Sequence, residues 1–233
     1  FGDLNKNNYN VFAVLDWRQA DNIRALDRSF AATGVRPERG LFNTSGTSFP
    51  ANFTQNAGAF VGNPTRATGC VPPASLPLAA STCRYDFTSA IDIQPDVEQL
   101  TFLTRGTMNL GGGHKVSLEY YRAETETIAR VAPDPATGLV MSPSSPYFPR
   151  TFPGINPNAN ITVGWRMVPA GQRENTSNTI GQRAVADISG AVAGWDYRGG
   201  LFWTESSGDD GPTNGYVNIG LIRAGVASGL LNP

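Results

Sequence analysis

The segment from Val97 to Val131 constrains the fold more than any other part of this chain. In its first half, apolar side chains share one parity and polar side chains share the other: Leu100, Phe102, Met108 and Leu110 against Gln99, Thr101, Arg105, Thr107 and Asn109. The alternation resumes after the sequence GGGH, which predicts two antiparallel β-strands joined by a tight turn at Gly111–His114. Each strand is roughly 14 residues long, whereas a strand in a globular protein has about 5–6. This length raises the question of which solvent surrounds the strands.

Alternating patterns elsewhere bring the expected number of strands to about five. Further strands are predicted at residues 9–19, 182–193 and 195–207, the last two joined by a tight turn at Gly194. The fold class predicted from the residues is therefore all-β and antiparallel.

The remaining segments are predicted to be loops and short helices. Ile23, Leu26 and Phe30 have helical spacing, so a short surface helix is expected over residues 21–32. The tail after Asn214 is expected to form a loop and a short helix. Two long segments rich in turn-forming residues and prolines are predicted to be irregular loops, at residues 33–94 and 132–181.

The composition excludes several classes of function. The net charge is −1, which argues against binding to nucleic acid. Charged residues make up 16% of the chain, below the roughly 25% of a soluble domain. His114 is the only histidine, so histidine-based catalysis and a histidine-rich metal site are not expected. No cofactor is expected.

Cys70 and Cys83 are the only cysteines, and they lie in a loop rich in Pro, Ser and Ala. They form either a disulfide or two unpaired thiols, and the disulfide is the favoured interpretation. A disulfide closing a loop of this length would contribute about 3 kcal/mol. It would indicate an oxidising compartment such as the periplasm or the cell surface.

The connections between the strands favour a membrane setting. Very short turns alternate with loops of roughly 50–75 residues, the pattern of periplasmic turns and extracellular loops in an outer-membrane β-barrel. Tyr9 and Trp17 are eight residues apart on the apolar parity, as are Trp195 and Trp203. Eight tilted residues rise about 21 Å, near the height of the apolar band between two aromatic girdles. The strands are therefore predicted to be transmembrane.

The polar parity is predicted to face the lumen of the barrel, because unpaired charges in lipid cost several kcal/mol. Five strands cannot close a membrane barrel, since single-chain bacterial barrels begin at eight strands. The chain is therefore expected to be a sector of a larger barrel and a piece of a longer protein. Its opening sequence, FGDLNKNN, also lacks an initiator Met. The expected lumen-facing charges are Arg105, Glu119, Asp187, Asp196 and Arg198.

Several segments, in order along nearly the whole chain, resemble the barrel region of bacterial TonB-dependent outer-membrane receptors. They are the run at 9–37, the loop cysteines before RYDF, VPAGQR, AGWDYRGGLFWTES and the tail GYVN…GVASGLLNP. The resemblance implies a 22-stranded barrel, with residues 1–233 as part of the barrel domain. The plug domain and the remaining barrel strands are not expected in this sequence. Such receptors take up scarce nutrients across the outer membrane.

The resemblance also implies partners and candidate ligand contacts. The partners are outer-membrane lipid, the plug domain, the TonB energy-transducing complex, and a small-molecule or oligomeric nutrient such as a siderophore, oligosaccharide or peptide. Ligand contacts are expected from aromatic and arginine side chains in the outer loops, although these residues are also suited to packing the loops together. They are Tyr147, Phe148, Arg150, Trp165 and Arg166.

Two other functions fit parts of the sequence. The first alternative is an extracellular β-rich binding or adhesion protein without transport activity, in which the apolar strand faces would form a soluble core. The second is an enzyme, since the carboxylate pairs Glu124/Glu126 and Asp209/Asp210 resemble those of glycosidases. Solvated surface charge explains these pairs more simply, so enzymatic activity is not expected.

Overall fold

The structure, a computed structural model, describes residues 1–55 and 61–233 and is mostly antiparallel β-structure, with 52% of the described residues in strands. None of the helices in the described ranges is long and apolar enough to cross a membrane. The α-helix α1 spans Ile219–Ala227. The strands are β1 (Tyr9–Ala20), β2 (Ile23–Arg24), β3 (Val35–Arg36), β4 (Leu41–Phe42), β5 (Asn52–Thr54), β6 (Ser75–Leu76), β7 (Arg84–Tyr85), β8 (Asp92–Gln94), β9 (Asp96–Gly111), β10 (His114–Val131), β11 (Pro135–Met141), β12 (Ile161–Arg166), β13 (Arg173–Val192) and β14 (Trp195–Asn214).

Five long strands form one antiparallel sheet in the order β1-β9-β10-β13-β14. The expected all-β class and the hairpin at 97–131 are confirmed, and the strands contain 12, 16, 18, 20 and 20 residues. Strand β13 begins at Arg173, nine residues before the predicted start at Gln182. The segment RENTSNTIG has little apolar alternation, so the pattern gave no signal there, although the backbone pairs in the ladder.

The two tight turns use residues with a left-handed backbone. Gly112 and Gly113 have φ angles of 60° and 83°, and Ala193 and Gly194 have φ angles of 51° and 80°. Two consecutive positive φ angles are characteristic of the type I′ turn, whose twist matches that of the flanking strands. The predicted turns are therefore confirmed. Each is a connection of two residues, Gly112 and Gly113 in the first and Ala193 and Gly194 in the second.

The strand register places the apolar parities of neighbouring strands on the same side of the sheet. Tyr9 lies opposite Met108, and Met108 lies opposite Val116. Residues directly opposite each other share a face, so the apolar side chains of neighbouring strands lie together on one surface, which also carries the Arg122–Glu124 ion pair opposite Phe102 and Leu100. This surface is open: the residues Leu201, Trp195, Leu118 and Trp17 are 80%, 79%, 64% and 61% exposed.

The chain divides into two compact units. The sheet unit comprises residues 1–21, 95–128 and 176–211, and the loop unit comprises residues 22–94, 129–175 and 212–233. The loop unit has its own three-stranded sheet, in the order β11-β12-β5, with α1 packed against β11. Its buried core includes Phe53, Leu139, Met141, Phe148, Ile161, Val163, Trp165 and Val226.

The segments predicted to be irregular thus contain a folded unit with short strands. Proline was expected to be excluded from central strands. Pro135 agrees with this, because it is the first residue of β11, an edge strand of the loop sheet. The short helix expected in the tail is confirmed as α1, and the Asn218 side chain caps it by accepting hydrogen bonds from the N–H groups of Gly220 and Leu221.

The helix predicted over residues 21–32 is wrong. The segment contains β2 and a single 3₁₀ turn at Ala25–Asp27, and the backbone is extended at Arg24 and Arg28 on either side. Only Ala25 is buried, where its N–H donates to the carbonyl of Ile91, whereas Leu26 and Phe30 are exposed. The helical spacing of the apolar side chains therefore had no core to face, and the bond to the 91–94 segment determined the backbone instead.

Candidate ligand-binding groove and the polar face of the sheet

A groove of about 670 Å³ lies in the loop unit between two chain segments. One wall comes from the segment around the cysteine loop, and the other comes from the proline-rich segment at 147–153. The lining residues are Asn63, Pro64, Arg66, Ala67, Ala80 and Ser81 on the first wall, and Tyr147, Pro149, Thr151, Phe152 and Pro153 on the second.

The first wall is held by the disulfide between Cys70 and Cys83, which confirms the favoured pairing. Cys83 is fully buried, and its backbone N–H and carbonyl both bond to the side-chain amide of Asn52, at 3.1 and 2.7 Å. The Asn63 amide donates to Asn52 Oδ1 at 2.9 Å and accepts from the N–H and hydroxyl of Thr65. The polar groups of these buried amides are thus hydrogen-bonded within the wall, which makes its base rigid.

Arg66 is the cationic group of this wall. Its Nε donates to the carbonyl of Ala79 at 2.7 Å, which ties the two sides of the cysteine loop together. Among the described residues, no partner lies on its two terminal guanidinium nitrogens. The bond at Nε orients the guanidinium, and the remaining donors are available to an anion.

The second wall is held by Arg150. Its guanidinium donates to the carbonyls of Ser145, at 3.3 Å, and Pro143, and lies 5.8 Å from the centre of the Phe148 ring. Phe152 packs edge-on against Phe53 of the core, with the ring centres 4.9 Å apart. Tyr147 lies between these anchors with 42% of its side chain exposed.

A smaller apolar cavity of about 90 Å³ adjoins the groove and shares three lining residues with it, Pro64, Tyr147 and Pro149. This cavity, called the annex below, reaches toward the core of the loop unit. Its other lining residues are Ala51, Phe53, Met141, Ile161, Val163, Asn232 and Pro233.

The five loop residues expected to contact a ligand lie in different surroundings in the structure. Tyr147 lines the groove, and Arg150 holds the segment from which Tyr147 projects. Phe148, Trp165 and Arg166 are buried in the loop unit, so they pack the loops together, as the alternative interpretation expected. Arg66 was missed by the sequence reasoning. A signal for it was present, because it lies four residues before Cys70, the first cysteine of the disulfide.

Arg166 joins separate segments of the loop unit. Its terminal nitrogens donate to the carbonyl of Pro133 at 2.8 Å and to the Thr47 hydroxyl at 2.9 Å. Its guanidinium lies 5.0 Å from the centre of the Tyr85 ring, within the range of a cation–π contact. Burial lowers the pKa of Arg166 and raises the pKa of Tyr85, because both charged forms lose hydration there.

Charged side chains on the polar face of the long sheet form a network across four strands. Glu119 accepts from Arg183 and lies 3.5 Å from Arg105. Arg105 also donates to Ser117 Oγ at 3.1 Å, and Ser117 donates to Asp187 Oδ1 at 3.4 Å. Arg198 Nε donates to the other Asp187 oxygen at 2.7 Å.

Four of the five charges predicted to face the lumen therefore lie in one network, which Arg183 extends. The fifth, Asp196, is exposed and makes no ion pair within the part of the chain that the structure describes. Each exposed pair contributes little to stability by itself. Together they join charged side chains of β9, β10, β13 and β14 into one network on the polar face.

No group of three or more His, Cys, Asp or Glu side chains in residues 1–55 and 61–233 is arranged to hold a metal ion. Of the carboxylate pairs, Glu124 lies 3.0 Å from Arg122 in an ion pair. Comparisons with protein-family models, with curated proteins and with solved structures found no match to this chain.

Proposed function

We propose that this chain is a sector of the barrel wall of a bacterial outer-membrane receptor of the TonB-dependent class, which takes up a scarce nutrient. The observation that carries the proposal is the five-stranded sheet, whose one face is open and mainly apolar, with the ion pair Arg122–Glu124 on it, while its other face carries the network of charged side chains. A soluble sandwich would bury the apolar face against a second sheet.

Energetics favour lipid as the solvent of the apolar face. Each square ångström of apolar surface costs about 25 cal/mol in water, and soluble monomers rarely expose patches larger than a few hundred Å². Leu15, Leu118 and Leu201 all belong to this face and are more than half exposed. In a bilayer the same side chains would meet hydrocarbon at no such cost.

The apolar face ends at a tryptophan. Beyond Trp17 the positions of the same parity are polar: Gln19 lies opposite Glu98, and Glu98 lies opposite Glu126. The indole N–H of Trp17 donates to Glu98 Oε1 at 3.1 Å. A ring with one apolar side and one bonded polar edge suits the boundary between hydrocarbon and headgroups.

The proposal requires further strands beside this sheet. Strands β1 and β14 are its outer members, so the outer edge of each pairs with no other strand of the described chain, although Val11 of β1 bonds to Phe1. In lipid, every backbone N–H and carbonyl must be paired within the protein. Neighbouring strands and the plug domain would therefore be supplied by other parts of the receptor, and those parts would also contact the TonB complex. The groove of the loop unit would capture the nutrient.

Tryptophan quenching by brominated lipid tests the membrane assignment. Two variants each keep a single tryptophan, the others being replaced by phenylalanine: one keeps Trp195 on the open apolar face, and its matched control keeps Trp165 in the loop core. We expect bromine on the acyl chains to quench the Trp195 fluorescence strongly and the Trp165 fluorescence little.

Equal, weak quenching of both variants would contradict the membrane assignment. If the chain were in addition a monodisperse folded monomer without detergent, the extracellular binding or adhesion protein would be the better explanation.

A further inference from the structure

The chemistry of the groove restricts the ligands that it can bind. Arg66 is the only ionisable cation among the described lining residues, and no carboxylate is among them. Hydroxyl groups come from Ser81, Tyr147 and Thr151. A ligand cation would meet repulsion and no counter-charge, whereas a ligand anion would meet a guanidinium that is already held in place by Ala79.

The annex adds a requirement for an apolar group. Met141, Ile161 and Val163 line it, and each is almost completely buried. A dry apolar cavity of roughly 150 Å³ holds one benzene ring. A space of about 90 Å³ therefore takes the edge of a ring whose remainder rests on the exposed faces of Tyr147 and Pro149.

We infer that the groove binds a small carboxylate ligand that carries an apolar ring, with the carboxylate on Arg66 and the ring between Tyr147 and the annex. This inference deepens the proposed function, because it names the class of nutrient that the receptor would take. Charge complementarity selects the anion, and the adjoining apolar cavity selects the ring.

Methyl NMR of the full chain tests the inference with phenylacetate as the probe. The chain has three methionines, which provide one reporter and two internal controls after labelling with methyl-¹³C methionine. Met141 lines the annex, Met167 lies in the loop core, and Met108 belongs to the long sheet. We expect phenylacetate to shift the Met141 methyl resonance through the ring current, with little effect on Met108.

Changes in the ligand and in the protein test the charged part of the site, Arg66, separately from the apolar part, the annex. Acetate lacks the ring and phenethylammonium reverses the charge, so both are expected to bind more weakly than phenylacetate. Arg66→Gln is expected to weaken phenylacetate binding by about tenfold or more. Arg39→Gln is the matched control, because Arg39 is exposed and lies outside the groove.

Binding of phenylacetate to Arg66→Gln with unchanged affinity would overturn the inference, as would equal binding of phenethylammonium. The result is independent of the lipid experiment. If phenylacetate shifts the Met141 resonance but brominated lipid does not quench the Trp195 fluorescence, the proposed ligand class stands and the membrane assignment is contradicted. If brominated lipid quenches Trp195 but phenylacetate does not shift Met141, the membrane assignment stands and the proposed ligand class is contradicted.

Discussion

Arg166 and Tyr85 show how the loop unit keeps a charge inside its structure. The guanidinium is buried, yet only its two terminal nitrogens have hydrogen-bond acceptors, and its Nε has none among the described residues. The Tyr85 ring takes the place of a further acceptor, since its negative face lies toward the cation. Burial favours the neutral form of Tyr85 in the folded state, and this effect outweighs the attraction of the Arg166 charge for the ionised form.

The loop unit should lose stability at alkaline pH through Tyr85. Burial raises the pKa of Tyr85 above its ordinary value of 10.0, so the folded chain holds this proton more tightly than the unfolded chain does. The contribution is complete below pH 10 and decreases as the pH rises from there through the raised pKa. Thermal unfolding at pH 9 to 11 should therefore show a fall in midpoint that Tyr85→Phe reduces.

Tyr147→Phe is the matched control for this experiment, because Tyr147 is exposed. An equal fall in midpoint for the chain and for Tyr85→Phe would contradict the role assigned to Tyr85.

At the scale of elements, the cysteine segment shapes one wall of the groove. The disulfide joins residues 13 apart, and the same segment is attached to the core by the Asn52 and Asn63 amides. Covalent closure and buried hydrogen bonds thus act on the same few residues. Arg66 owes its orientation to both, because its acceptor at Ala79 lies within the closed loop.

Replacing both cysteines by alanine should lower the free energy of unfolding of the loop unit by about 3 kcal/mol, through the greater entropy of the open chain. Urea unfolding followed by Trp165 fluorescence measures this change. Val71→Ala, an exposed position of the same segment, is the control and should change the free energy by less than about 0.5 kcal/mol. Equal stability of the double variant and this control would be inconsistent with the expected contribution.

The elements that the sequence predicted well are those whose pattern matches their surroundings. Strand β9 alternates from Gln99 to Leu110, apart from Leu103 and Thr104, because one side is mainly apolar and the other carries Arg105 and its partners. The loop sheet was missed because β12 is buried on both faces, so ITVGWR has no alternation to detect. The groove could not be predicted for a similar reason: it joins residues near 65 with residues near 150, and single-sequence patterns carry no such distance.

At the scale of the molecule, the long sheet has two outer strands and no closure within the described residues. Strand β10 is paired on both sides, whereas β14 is paired on one side. An antiparallel edge strand presents every second N–H outward, which leaves these amides to solvent or to another strand. The two strands have similar lengths, 18 and 20 residues, so they can be compared directly.

Amide hydrogen exchange of the isolated monomeric chain in detergent should reflect this difference. We expect uniform protection along β10, and rapid exchange at alternate residues of β14, because the outer edge of β14 pairs with no other strand of the described chain. Mass spectrometry with fragmentation gives the required residue resolution. Uniform protection of β14 in a chain that sedimentation shows to be monomeric would mean that its edge is covered from within the same chain.

The core of the loop unit is assembled from residues that are far apart in the sequence, from Phe53 to Val226, and the N–H of Ala51 donates to the carbonyl of Pro233 at 2.8 Å. Contacts of such long range form slowly, because a large loop must close before any of them is made. A chain that is delivered N-terminus first would therefore hold β5 without its strand partner until β12 arrives. During this interval, Phe53 and its apolar neighbours are a binding surface for a chaperone and a starting point for aggregation.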